Sequence, residues 1–160
     1  MEMTASVARI LVATDRTETA DRAVRFAADM ASRYEAELLL LQVIVPDGSP
    51  DGRPGTVERT RLSYAEQGLR MYAEELAGDR GRAVVVVDDD PAAAIVETAH
   101  SETVDVVVVG NAGMSGRKEF LLGNVPNRVS HNASCTVVIV NSTLAPEEPK
   151  GRGGRFFSRS

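Results

Sequence analysis

Hydrophobic residues along the chain follow two different spacings. Short apolar runs rich in β-branched residues are separated by longer stretches in which apolar residues recur every three or four positions. The first pattern is typical of buried β-strands and the second of amphipathic helices. The predicted strands cover residues 8–14, 36–45, 82–87, 105–110 and 135–140. The predicted helices cover residues 17–34, 62–76, 91–100 and 124–134.

Residues suited to helix ends support these assignments. Thr17 is placed to cap the first helix, and Asp90 is placed to cap the third, with Pro91 at the first helical position. The apolar positions of the first helix share one face, which we predict to be buried. They are Ala20, Val24, Ala27, Ala31 and Tyr34.

The predicted strands are apolar without alternation, which indicates burial on both faces of a parallel sheet. Strands alternating with helices and joined by right-handed crossovers predict an α/β fold with a doubly wound, five-stranded parallel sheet. We expect a single domain over residues 1–143. Residues 144–160 are rich in proline, glycine and charge, which predicts a disordered tail.

Composition narrows the class of protein further. The net charge of −5 argues against a general binder of nucleic acid. A single cysteine excludes a disulfide framework within the chain, and we therefore expect a reducing, cytoplasmic location. The sequence shows neither a signal peptide pattern nor an apolar run long enough for a membrane span.

Two features follow predicted strands at the edge of the sheet where such folds bind ligands. Asp15 comes directly after the first strand. The fourth strand runs into a loop, "VVVVGNAGMSGRKEFLLGN", that contains Gly110, Gly113, Gly116 and Gly123. If the strand order is 3-2-1-4-5, the first and fourth strands are neighbours, and the carboxylate and the loop face each other across one crevice.

The glycine loop matches neither standard phosphate-binding motif. A Walker A loop requires Ser or Thr after its lysine, which Lys118 lacks, and the dinucleotide fingerprint G-x-G-x-x-G is absent. The pattern present is G-x2-G-x9-G followed by a polar residue, from Gly110 to Asn124.

With this pattern in place, the chain resembles the universal stress proteins. The stretch "VVVVGNAGMSGRKEFLLGNVPNRVSHNASCTVVIV" is similar to the C-terminal signature of that family, and "ILVATD" with "TETADRAVRFAADMA" is similar to its first strand and helix. The resemblance covers residues 7–141. It implies a five-stranded parallel sheet of order 3-2-1-4-5.

The resemblance also implies a site for an adenine nucleotide, namely ATP with Mg²⁺ in the family's ATP-binding branch. Asp15 matches the residue that contacts the nucleoside, and Val43 the residue whose backbone meets adenine. The full set of implied nucleotide-binding positions is Ala13, Asp15, Val43, Val109, Gly110, Gly113, Ser115, Gly123, Asn124 and Val125. Backbone N–H groups in the loop, and those at the start of the following helix, would bind the phosphates.

Two departures from the family pattern leave more than one ligand possible for this site. The family has Ser or Thr where this chain has Asn124, and many members have glycine where this chain has Arg16. A bulky cation at position 16 is expected near the mouth of the pocket. Because some members prefer cyclic AMP to ATP, cyclic AMP is the first alternative ligand. A module that binds partners without nucleotide is the second.

The sequence offers no arrangement typical of a dedicated enzyme. No Ser-His-Asp or Cys-His pattern and no paired carboxylates stand out, so we expect a regulatory protein with at most slow ATP turnover. Asp15 has a structural alternative as a helix cap, and the glycines have one as turn formers. The apolar last strand, together with the resemblance, predicts a homodimer formed through that strand.

Overall fold

The computed structural model describes residues 6–46, 56–111 and 125–141 of the chain. Within these residues the strands are β1 (Arg9–Ala13), β2 (Glu37–Ile44), β3 (Gly81–Val87), β4 (Val106–Gly110) and β5 (Thr136–Val140). The helices are α1 (Glu18–Tyr34), α2 (Thr56–Ala77), α3 (Pro91–Ser101) and α4 (Val125–Asn132). A short 3₁₀ turn at Gly78–Arg80 joins α2 to β3.

The strands form one sheet of order β3-β2-β1-β4-β5, and each neighbouring pair is parallel. The predicted order and fold class are therefore confirmed. Apolar β-branched runs form these strands because both of their faces are covered.

Two hydrophobic layers, one on each face of the sheet, explain why the strand residues do not alternate with polar ones. Helices α1 and α2 cover one face, and α3 and α4 cover the other. In β1, for example, Ile10 and Val12 pack with the first pair of helices, whereas Leu11 and Ala13 pack with the second. All four are buried.

The predicted helix caps are present. The Thr17 hydroxyl accepts a hydrogen bond from the Ala20 N–H (3.2 Å), and Asp90 accepts one from the Ala93 N–H (3.2 Å). On the predicted buried face of α1, Ala20 is only half-buried, and the assignment of Tyr34 is wrong because its side chain is 55% exposed. Tyr34 is the last helical residue, and Glu35 turns the chain with a left-handed φ of 56°. The buried residue that the prediction omitted is Ala23.

Charged side chains at the amino-terminal edge of the sheet form hydrogen bonds with one another and with the backbone. The Arg9 guanidinium donates to Glu37 (2.9 Å) and to the Glu102 carbonyl (2.6 Å). The Asp105 carboxylate accepts from the N–H groups of Ala8 (2.8 Å) and Arg9 (2.9 Å). Because these groups already satisfy one another, the opposite, carboxyl edge is the place to look for a ligand site.

Several predictions lie outside the described residues. They concern the glycine loop from residue 112 to 124 and the tail from residue 144. The domain limits of 1–143 therefore stay a prediction. Among the helices that the structure describes, none combines the length and apolar character needed to cross a membrane.

Candidate functional site

The strand order reverses between β1 and β4, which makes the carboxyl ends of these two strands the switch point of the sheet. Their register is Ile10 with Val106 and Val12 with Val108. In parallel α/β sheets the helices that follow such a pair leave on opposite faces, and a crevice opens between them. Here α1 leaves on one face, while α4 lies on the other.

Strand β2 extends further toward the carboxyl edge than β1 does. The last β1 residue, Ala13, pairs with Leu41, and the Thr14 N–H donates to the Leu41 carbonyl (2.9 Å). Strand β2 continues to Ile44 beside β3. The chain after β1 thus turns away into α1 while β2 runs on, which leaves the β2 backbone around Val43 next to the turn that holds Asp15.

Asp15 uses only one of its two carboxylate oxygens to hold this turn. Its Oδ1 accepts hydrogen bonds from the Thr17 N–H (3.0 Å) and the Thr17 hydroxyl (2.6 Å). Its Oδ2 is buried and accepts no hydrogen bond from any residue that the structure describes. A buried acceptor without a partner is costly. Thr17 itself caps α1, so the capping role does not account for the second oxygen.

Four of the predicted site residues belong to one buried cluster, on the face covered by α3 and α4. They are Ala13, Val43, Val109 and Val125. Their side chains form part of the core at this end of the sheet. Gly110 ends β4 and is half-buried at the same edge.

The structure therefore brings together six of the ten predicted positions at the carboxyl edge of the sheet. The remaining four, Gly113, Ser115, Gly123 and Asn124, lie outside the described residues. Their part in a site stays a prediction from the sequence.

Arg16 has a contact that the sequence does not reveal. Its guanidinium carbon lies 4.7 Å from the centre of the Tyr72 ring, on helix α2. Its backbone is left-handed, with a φ of 68°, and its N–H donates to the Thr14 hydroxyl (2.9 Å). The cation expected near the pocket mouth is thus held against α2.

Tyr72 connects this contact to helix α1. Its hydroxyl donates a hydrogen bond to Asp21 in the first turn of α1. Burial, the hydrogen bond to Asp21 and the Asp21 charge raise the pKa of Tyr72 to about 12, against the opposing charges of Arg16 and Arg25. The helical periodicity places Tyr72 on the inner face of α2 but gives no sign of these polar partners.

The run of three aspartates before α3 has a structural role. Asp88 accepts from the Asp90 N–H (2.9 Å), and Asp90 caps α3 while forming two hydrogen bonds with the Arg128 guanidinium of α4 (2.8 and 2.9 Å). The Arg128 hydrogen bond is the main cause that lowers the pKa of Asp90. Over the described part of the chain, no three His, Cys, Asp or Glu side chains come together in a way that could hold a metal ion.

Sheet order and switch-point geometry define the class: a doubly wound α/β protein with its candidate site at the carboxyl ends of β1 and β4. Comparison with known sequences makes the assignment more specific. The model of the universal stress protein family matches residues 7–141, and the chain belongs to that family.

Individual relatives agree with this membership. Universal stress protein YxiE of Bacillus subtilis is 31% identical over 144 residues, which cover 82% of this chain and 97% of YxiE. A crystal structure of a universal stress protein in complex with cAMP is 28% identical, with a TM-score of 0.66, and the match covers 87% of this chain and all of that one. UspA from Lactobacillus plantarum shares the fold, with a TM-score of 0.72 at 21% identity, over 86% of this chain and all of UspA.

Proposed function

We propose that this chain is a cytoplasmic regulatory protein that binds an adenine nucleotide at the switch point and acts through a change in conformation or in partner binding. The observation that carries the proposal is the buried Oδ2 of Asp15, which lacks a partner among the described residues. Buried acceptors in proteins are normally paired, and a donor from a ligand that reaches the turn would supply the partner that this oxygen lacks.

The charge of Asp15 sets the direction in which a nucleotide would lie. A carboxylate attracts hydroxyl and amino donors, which belong to the ribose and the base, and repels phosphate. The nucleoside would therefore lie beside Asp15 and the β2 backbone at Val43. The phosphates would lie beyond Val109 and Gly110, toward residues 113–124 and the start of α4.

The start of α4 suits a phosphate group. Helix N-termini present unpaired N–H groups and a positive dipole end. Helix α4 begins at Val125, which carries an N–H, whereas Pro126 has none. Within the proposal, Gly113, Ser115, Gly123 and Asn124 complete the phosphate site, and Mg²⁺ accompanies ATP through the phosphate oxygens.

Cyclic AMP is the second candidate ligand. The observation that favours it is the similar universal stress protein whose crystal structure is a complex with cAMP. Cyclisation ties up the 3′-oxygen and leaves the 2′-hydroxyl as the ribose donor for Asp15. The same crevice therefore accepts both ligands in principle, and affinity decides between them.

We also propose a homodimer formed through β5. This strand is the outer one of the sheet, and Ile139 on it is 44% exposed. An uncovered apolar edge strand favours pairing with another chain. Sedimentation velocity should show a dimer that Ile139→Lys converts to monomer. A monomeric wild-type protein would contradict the dimer but not the nucleotide site.

Thermal unfolding of nucleotide-free protein with ATP, AMP and cyclic AMP, each with Mg²⁺, tests the proposal. A ligand at about one hundred times its Kd stabilises the folded state by about 2.7 kcal/mol. For a domain of this size the melting temperature should rise by roughly 5 to 10 °C. A rise confined to cyclic AMP would favour the second candidate, and no rise with any of the three would favour a module that works through protein partners alone.

A further inference from the structure

We infer that Arg16 and Tyr72 form a latch that positions the Asp15 turn and couples it to helix α2. In this inference, which rests on the proposed function, Arg16 is a positioning residue: it acts on the nucleotide through Asp15. The latch comprises Arg16, Gly68, Tyr72 and Asp21.

The backbone of Arg16 adopts a conformation that favours glycine. A φ of 68° lies in the left-handed region, which a residue with a Cβ adopts at a cost and glycine adopts freely. Glycine would therefore suffice if this position only had to turn the chain. Glu35 and Thr103 have similar φ values of 56° and 55°, so the distinguishing feature of Arg16 is the set of contacts that its side chain makes.

These contacts are made with α2. The Arg16 guanidinium lies over the ring of Tyr72, at 4.7 Å, in the geometry of a cation–π interaction. Gly68 stands one helical turn before Tyr72, and a Cβ on it would lie 3.5 Å from Arg16 Nη1. The guanidinium thus rests on the surface that Gly68 and Tyr72 form together.

The ring of Tyr72 is in turn fixed from the other side. Its hydroxyl donates to Asp21 Oδ1, and Asp21 Oδ2 accepts from Arg25 one turn further along α1 (2.9 Å). The side chain of Tyr72 is therefore held between Arg16 and the first turn of α1. These contacts tie the turn after β1, the start of α1 and the middle of α2 into one unit.

Asp15 lies at the centre of this unit. It stands between Thr14, a buried residue whose hydroxyl accepts from the Arg16 N–H, and Arg16 itself. Thr17 holds the Asp15 carboxylate through Oδ1. The contacts of Arg16 with Thr14 and Tyr72 fix the backbone of the turn that carries this carboxylate. A ligand that draws Asp15 toward the crevice would pull on Arg16 and, through Tyr72, on α2.

A double-mutant cycle on nucleotide affinity tests the latch. Arg16→Gly keeps the backbone conformation accessible but removes the cation, and Tyr72→Leu removes the ring. Each should weaken binding by about 3- to 10-fold, the range of one partly buried cation–π contact. The double variant should bind about as weakly as the weaker single variant, because both changes break the same contact.

Two variants serve as controls for these substitutions. Arg16→Lys keeps a cation near the ring and should retain most of the affinity. Tyr64→Leu makes the same change on the same helix at a side chain that is 73% exposed, and should leave affinity unchanged. Circular dichroism and thermal unfolding establish that each variant is folded.

A spectroscopic measurement distinguishes coupling between the nucleotide site and α2 from a purely structural role of Arg16 and Tyr72. The chain has three tyrosines and no tryptophan, so its intrinsic fluorescence reports mainly on tyrosine, and adenine contributes no emission of its own. Nucleotide, after correction for its absorbance, should change the tyrosine emission spectrum of the wild type, and Tyr72→Phe should abolish that change in the spectrum. Wild-type binding without that change, or additive losses in the cycle, would overturn the latch and leave the proposed function intact. Absence of nucleotide binding by the wild type would overturn both.

Discussion

At the scale of single residues, burial and the contact with Asp21 of α1 make the phenol of Tyr72 hold its proton more tightly. Burial raises the pKa of Tyr72 most, followed by the hydrogen bond to Asp21 and the negative charge on that carboxylate. Because the folded chain holds this proton more tightly than the unfolded chain, the phenol stabilises the fold fully below pH 10. That contribution is lost as the pH rises from 10 toward about 12.

Asp21→Asn should therefore lower the pKa of Tyr72. The amide oxygen still accepts the phenol hydrogen bond, but the neutral side chain no longer repels the phenolate. The appearance of phenolate absorbance with rising pH measures the shift, and Tyr72→Phe identifies which transition belongs to Tyr72. An unchanged titration in Asp21→Asn would contradict the Tyr72–Asp21 contact.

At the scale of secondary-structure elements, Gly68 and Gly81 have different roles. Gly68 lies in the interior of α2, where an added Cβ meets only ordinary van der Waals contact with Arg16. Gly81 begins β3 where the strand passes close to α2, and a Cβ there would lie 2.0 Å from the Ala73 carbonyl oxygen. The strand can approach the helix so closely only because position 81 has no side chain.

The same substitution should consequently act in opposite directions at these two positions. Gly68→Ala should stabilise the protein by about 0.5 to 1 kcal/mol, the difference in helix propensity. Gly81→Ala should destabilise it by about 1 to 3 kcal/mol, because the strand or the helix must shift. Denaturant unfolding of the two variants measures both effects, and shifts of the same sign would contradict this assignment.

The elements also show which features a sequence can predict. Runs such as the four valines of β4 predict strands because a strand buried on both faces needs no polar positions. The caps Thr17 and Asp90 were predictable because each bonds to a residue three positions away. Tyr34 was misplaced because periodicity does not mark where a helix stops facing the core.

Contacts between residues that are distant in the sequence have no comparable local pattern from which they could be predicted. Arg16 and Tyr72 meet only because α2 packs beside the start of α1, and Asp90 pairs with Arg128 from another helix. The sequence places Asp15 at a strand end, which is enough to propose it as a site residue. Only the folded geometry shows that Thr17 donates hydrogen bonds to Oδ1 of Asp15, whereas Oδ2 has no partner among the described residues.

At the scale of the whole molecule, the sheet order determines where a ligand can bind. The order β3-β2-β1-β4-β5 places the reversal at β1 and β4. It also makes β3 and β5 the outer strands, which separates the proposed dimer edge at β5 from the nucleotide crevice. In the proposed function, one chain would bind a nucleotide at the carboxyl edge of its sheet while it contacts a second copy along β5.

The central claim is that Asp15 offers its free oxygen to an adenine nucleotide, and calorimetric titration of nucleotide-free protein with ATP and cyclic AMP tests it most directly. In Asp15→Asn, Thr17 retains the amide oxygen, and the amide NH₂ replaces the free acceptor with a donor. Asp29→Asn, an exposed carboxylate paired with Arg33 elsewhere on α1, is the matched control. We expect saturable binding to the wild type and to Asp29→Asn, weakened about 10- to 100-fold in Asp15→Asn. Equal binding to all three proteins, or no saturable binding of either nucleotide to the wild type, would contradict the claim.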